Sequence, residues 1–147
     1  MMVKRGFFFI SMALCFINMT CEEGDKIDLS SEICDQKITV NRNLFTNLES
    51  AHFTFVNAQI IEDCLTLEIS ASGCDGHSWG FNLVDSGAVA ESSPEQRSLK
   101  LQLLNKEACL AVFKRTISFD LRPLQINGSH EIILHLEGLE TSLRYKY

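Results

Sequence analysis

Prolines are scarce: two occur in 147 residues. With an ordinary apolar content, that scarcity argues against a chain disordered over most of its length. Long apolar runs are missing too. The run at residues 6–17, GFFFISMALCFI, falls short of the roughly 20 residues that cross a bilayer comfortably as a helix. Basic charge is limited, with 13 Lys and Arg against 19 Asp and Glu. That balance excludes a nucleic-acid or anionic-membrane binding face as the organising feature. No phosphate-cradling glycine loop, nucleotide fingerprint, G-x-S-x-G elbow or EF-hand spacing occurs. No internal repeat is visible.

What is present begins with an address. Lys4 and Arg5 precede the short apolar run, the layout of an export signal over residues 1–20. Cys21 follows directly, in the place where a bacterial lipoprotein cysteine is acylated, although Asn18 and Thr20 depart from the usual lipobox residues. Plain secretion with Cys21 as a spare thiol is the alternative. Residues 21–32 carry Glu22, Glu23, Asp25 and Asp28 and read as an acidic, flexible tether. Removal of the signal takes Lys4 and Arg5 with it, so the mature chain stands at about −8. Residues 33–147 suit a single domain with its own core.

The organising stretch is residues 64–83, CLTLEISASGCDGHSWGFNL. Two alternating segments flank a break at Ser72-Gly73-Cys74-Asp75-Gly76, which predicts two half-buried strands joined by a tight turn. Alternation recurs in HFTFVNAQII, SLKLQLL, ACLAVFKRTISFDL, HEIILHLEG and TSLRYKY, with no convincing helix between them. DSGAVAESSPEQRS, around Pro94, reads as an exposed loop carrying Asp85, Glu91 and Glu95. About seven strands at this spacing predict an all-β fold, an antiparallel β-sandwich of immunoglobulin-like or similar type. A small closed barrel is the alternative. The inward parity collects Phe53, Phe55, Leu65, Leu67, Ile69, Trp79, Phe81, Phe113, Phe119, Leu134, Leu143 and Tyr145 as the core.

Four cysteines, Cys34, Cys64, Cys74 and Cys109, remain beyond the signal and Cys21. An even number in an exported chain implies two disulfides with three possible pairings. Parity turns Cys64 away from Leu65 and Leu67 toward the incoming N-terminal segment, and places Cys109 on the inward face with Ala111 and Phe113. Cys34–Cys64 with Cys74–Cys109 is therefore favoured. The competing use of these atoms is a zinc or copper site formed by Cys74, His77 and Cys109, since a C-x-x-H turn brings soft ligands together. Asp75, His77 and Ser78 are too close in sequence for a catalytic triad, and His135 alternates outward. No residue is assigned a catalytic role and no cofactor is called for.

Several motifs together resemble a group of small uncharacterised lipoproteins from Bacteroidota. They are the lipobox-like start, Asp63-Cys64-Leu65, Gly73-Cys74 with His77, Glu107-Ala108-Cys109, Phe119-Asp120-Leu121 with Leu124, and the Tyr-x-Tyr ending. The likeness covers about residues 53–147, and Asn105 stands where the group carries a histidine. It implies a cell-envelope location, as an outer-membrane lipoprotein on the periplasmic or surface side, with no assigned activity. The expectation is a non-catalytic binding or envelope-accessory module. Its partners would be the membrane, reached through an N-terminal lipid, and an unidentified protein or small molecule, not nucleic acid.

Overall fold

The computed structural model describes residues 34–147. The signal at 1–20, the tether at 21–32, Cys21 and Ile33 lie outside the described residues. Among those described, nine strands form two sheets: β1 (Gln36–Lys37), β2 (Thr39–Val40), β3 (Thr54–Ile61), β4 (Cys64–Gly73), β5 (Gly80–Ala90), β6 (Glu95–Leu104), β7 (Ala111–Asp120), β8 (Glu131–Leu136) and β9 (Leu143–Lys146). One sheet runs β1-β7-β4-β3, the other β2-β5-β6-β8-β9. The fold is all-β and sandwich-like, and neither sheet closes into a barrel.

Alternation builds the core. Leu65, Leu67 and Ile69 of β4 have no exposed surface, and they meet Leu83, Leu99, Leu101 and Leu134 from the opposite sheet. All twelve residues assigned inward by parity lie in this cluster or pack against it. Each fully buried Leu or Ile adds roughly 1.5–3 kcal/mol over its exposed state.

The two segments of residues 64–83 are both strands, but they do not pair. β4 lies between β3 and β7, while β5 lies between β2 and β6. The turn at Cys74 thus carries the chain from one sheet to the other. β3 and β4 form the close hairpin, with Ile61 opposite Cys64 and Glu62 at φ 53 in the intervening turn.

Three pairings are parallel, β1 with β7, β2 with β5 and β6 with β8, so the sheets are mixed where alternation alone predicted antiparallel order. The first two have a simple cause. The incoming segment crosses one open side of the sandwich: Gln36 and Lys37 extend the β7 edge, and Thr39 and Val40 extend β5. Ile38 between them is buried in the core. Two-residue strands carry no alternation, which is why about seven strands were expected. A short helix, α1 (Arg42–Thr46), follows, capped by Asn41 Oδ1 accepting from the Leu44 amide at 3.0 Å.

The loop expected around Pro94 is short. β5 continues to Ala90 through an irregular register between Asp85 and Val89, and β6 already begins at Glu95. Asp85 therefore does not decorate a solvated loop. It is fully buried, accepting from Arg97 Nη1 at 2.8 Å and from the Gly87 amide at 2.7 Å. The match is incomplete, since Asp85 Oδ2 and Arg97 Nε are buried without a partner.

Candidate functional site

After Gly73 the chain turns through Cys74-Asp75-Gly76-His77-Ser78 and re-enters the core at Trp79. Glu107 holds this turn together. Its Oε2 accepts from the backbone amides of Cys74, Gly76 and Asp75 at 2.6, 3.1 and 3.2 Å. Its Oε1 accepts from Ser78 Oγ at 2.6 Å. Successive amides aimed at one point form an anion-binding concavity, here filled by the protein's own carboxylate. The Ser78 hydroxyl, followed by the three amides, outweighs desolvation and lowers the Glu107 pKa from 4.5 to about 2.

Asn105 positions the clasp. Its Oδ1 accepts from the Glu107 amide and its Nδ2 donates to the Ser72 carbonyl, both at 2.8 Å. The position that departs from the resembling group thus has a structural task of its own. Gly73 is required by close approach: a Cβ there would overlap Glu107 Oε2 and fall 2.8 Å from Trp79 Cζ2. Trp79 is 7% exposed, and its indole Nε1 has no hydrogen-bond partner.

The structure brings together the cysteine pairs that parity favours. Cys34 is bonded to Cys64 and Cys74 to Cys109, with Cα separations of 5.6 and 4.8 Å. Cys109 itself is exposed and precedes β7, so the inward placement expected for it is corrected. Its bond to Cys74 withdraws two of the three ligands of the alternative metal set. The third, His77, is exposed, with Nδ1 3.3 Å from Arg115 Nη1. Among the described residues no group of three His, Cys, Asp or Glu side chains is arranged to hold a metal ion. Asp75 Oδ1 accepts from the His77 amide at 2.8 Å, a turn role. His135 is exposed, as its parity requires, and lies 2.7 Å from Gln96 Oε1.

Sequence reasoning missed Glu107. The available signal was indirect: a disulfide from Cys109 to a turn flanked by Gly73 and Gly76 forces Glu107, two residues earlier, beside that turn. It took Asp63 only as part of the Asp63-Cys64-Leu65 motif. Asp63 Oδ1 in fact accepts from the buried Tyr145 hydroxyl at 2.5 Å, and Gln125 Nε2 donates to the same hydroxyl at 2.8 Å.

A second feature is an open cleft of about 340 Å³ lined by His52, Phe53, Lys100 and Glu137. It adjoins another of about 490 Å³ lined by Phe53, Phe55, Leu139 and Glu140. Phe53 and Phe55 meet edge to face, with centroids 5.1 Å apart. Lys100 is paired with Glu137 at 3.1 Å and lies over the Phe45 ring. Among the described residues no helix is long and apolar enough to cross a membrane.

No protein-family model and no curated protein matches the chain. Among solved structures, it is similar to a protein of unknown function DUF1344 from Bacteroides vulgatus ATCC 8482. The TM-score is 0.52 at 15% identity over 76% of this chain. It is also similar to a "Putative TOXIN related protein" from Parabacteroides distasonis ATCC 8503, at 0.50, 15% and 76%. The chain spans 56% and 59% of those two proteins. At this identity the likeness is one of fold: the chain shares a β-sandwich-like architecture with these two proteins.

Proposed function

We propose that the protein is an exported, lipid-anchored module of the cell envelope that binds a partner or ligand and has no catalysis of its own. The observation that carries this reading is the pair of disulfides. Cys34–Cys64 and Cys74–Cys109 account for four cysteines and leave Cys21 outside both. Disulfides persist in oxidising compartments, which supports export. Cys34 is bonded to Cys64 at the start of β4, so a tether from Cys21 would meet the domain at a covalently fixed point. Two or three acyl chains at ~0.8 kcal/mol per buried methylene make a lasting anchor.

The absence of catalysis is supported by how the polar side chains are engaged. Asp85 with Arg97, Asp120 with Arg122, Asp63 with Tyr145 and Glu107 with the Cys74 turn each hold the fold together. Among the described residues none of these clusters joins a nucleophile, a base and an orienting group. The aromatic-floored cleft at Phe53 and Phe55 is the surface proposed for the partner.

The test is fractionation of cells expressing the wild-type chain and Cys21→Ser. Wild type in the membrane fraction with the variant released is the expected result. Equal release of both, or equal retention, overturns the anchor.

A further inference from the structure

Glu107 shows what the Cys74 turn is built to hold. Four donors, the amides of Cys74, Asp75 and Gly76 and the Ser78 hydroxyl, converge on one carboxylate. A fifth lies beside them unused. The Trp79 indole N–H is buried and without a partner, and Nε1 stands 3.0 Å from the position a Cβ on Gly73 would take. That same position is overlapped by Glu107 Oε2, so the missing Cβ lets the occupied acceptor and the idle donor close on one point. A buried donor left unpaired is destabilising. The built-in carboxylate therefore satisfies the turn incompletely.

The geometry points to an oxyanion-binding site in the turn from Gly73 to Trp79, which Glu107 occupies as a tethered ligand and which an external carboxylate or phosphoryl group can take over. The charge around it agrees. Arg115 packs its Cγ and Cδ against Gly76 and places Nη1 beside His77, bringing a guanidinium to the rim. The nearest acid in sequence, Asp75, directs Oδ1 to the His77 amide. An anion free of the Glu107 backbone can orient its acceptor oxygens to the indole as well as to the amides. Exchange exposes Glu107 to solvent and leaves the Cys74–Cys109 bridge intact, so the turn keeps its shape while its occupant changes.

This deepens the reading of a binding module by giving one ligand class, and it holds whether or not Cys21 carries lipid. The test is an NMR titration of the purified, disulfide-bonded chain with sodium acetate and, separately, sodium phosphate, against sodium chloride at equal ionic strength. The resonances followed are the amides of Cys74, Asp75 and Gly76 and the indole N–H of Trp79. A tethered competitor acts at millimolar or higher effective concentration. Glu107→Ala should therefore bind at least about tenfold more tightly than wild type, with saturable shifts at all four N–H groups. Glu107→Gln, which keeps the shape and loses the charge, should fall between them, and it stands in if the alanine variant does not fold. Saturation by acetate identifies a carboxylate ligand, and saturation by phosphate a phosphoryl one. A folded variant that shifts no more with either anion than with chloride overturns the proposal, as do equal affinities for variant and wild type. The fractionation experiment reads a different property, so the two can fail separately.

Discussion

Asp85 and Arg97 meet inside the sandwich at 2.8 Å, with the aspartate fully buried and the arginine side chain 11% exposed. They meet diagonally across β5 and β6: Asp85 is opposite Leu99 and Arg97 opposite Val89, and the register between Asp85 and Val89 is irregular. Asp85 Oδ1 accepts both the Arg97 guanidinium and the Gly87 amide, while Arg97 Nε has no partner. The pair therefore fixes the bend of β5 as well as neutralising two charges.

Removing one partner leaves the other charge buried. Asp85→Ala should lower unfolding stability by about 3–5 kcal/mol in urea melts. Asp85→Leu combined with Arg97→Met should recover most of that loss, because a well-packed apolar pair replaces a buried ion pair at little cost. A double variant as unstable as the single one would show that the bend depends on the Gly87 hydrogen bond and not on charge.

Tyr145 is fully buried, and burial together with its hydrogen bond to Asp63 raises its phenol pKa well above the usual 10. A raised folded-state pKa means that its contribution is complete below about pH 10, the unfolded value, and is lost as pH rises beyond it. Tyr145→Phe keeps the ring and removes the hydroxyl. It should cost about 1.5–3 kcal/mol at neutral pH, the range for hydrogen bonds to charged groups. It should also flatten the loss of stability above pH 10. Denaturant melts at pH 8 and 11 measure both.

The acid limb has the opposite sign. Glu107 is lowered to about 2, chiefly by Ser78 and the turn amides, and Asp120 is lowered chiefly by its hydrogen bonds to Arg122. Their contributions are present above the ordinary carboxylate range and disappear as pH falls through the depressed values. Glu107→Gln should lose part of the acid dependence between pH 5 and 2. The thermal midpoint of wild type should approach that of the variant at the acid end. Parallel curves across that window would contradict the clasp.

The two bridges close loops of similar length, with partners 30 and 35 residues apart. Replacing either pair with serine should cost about 2–4 kcal/mol by freeing the unfolded chain. The consequences should differ. Loss of Cys34–Cys64 should release the segment that carries β1, Ile38 and β2, exposing to hydrogen exchange the amides of Ser118, which donates to Asp35 Oδ2, and Asn41, which donates to the Asp85 carbonyl. Loss of Cys74–Cys109 should raise exchange at the Cys74 turn.

Strand positions and the core could be read from the sequence because alternation is a local property: Leu65, Leu67, Ile69, Phe81 and Leu83 mark their faces whichever strands lie beside them. Sheet membership could not. The turn after Gly73 looks the same whether it closes a hairpin or carries the chain between sheets, and only the packing of β4 against β7 decides. Asp85 was misread because Ser86 and Gly87 follow it like turn residues, while its partner Arg97 lies twelve residues on. Glu107 gave no periodic signal, since three of its four partners are backbone amides that every sequence possesses.

Two disulfides staple this β-sandwich, and the proposed envelope role adds export and a lipid on Cys21. Peptide mass mapping without reduction, on protein extracted from the membrane fraction, tests it most directly. The expected peptides are a Cys34–Cys64 pair, a Cys74–Cys109 pair and an acylated N-terminal peptide beginning at Cys21. Free thiols at those four positions, or an unmodified Cys21, would contradict it.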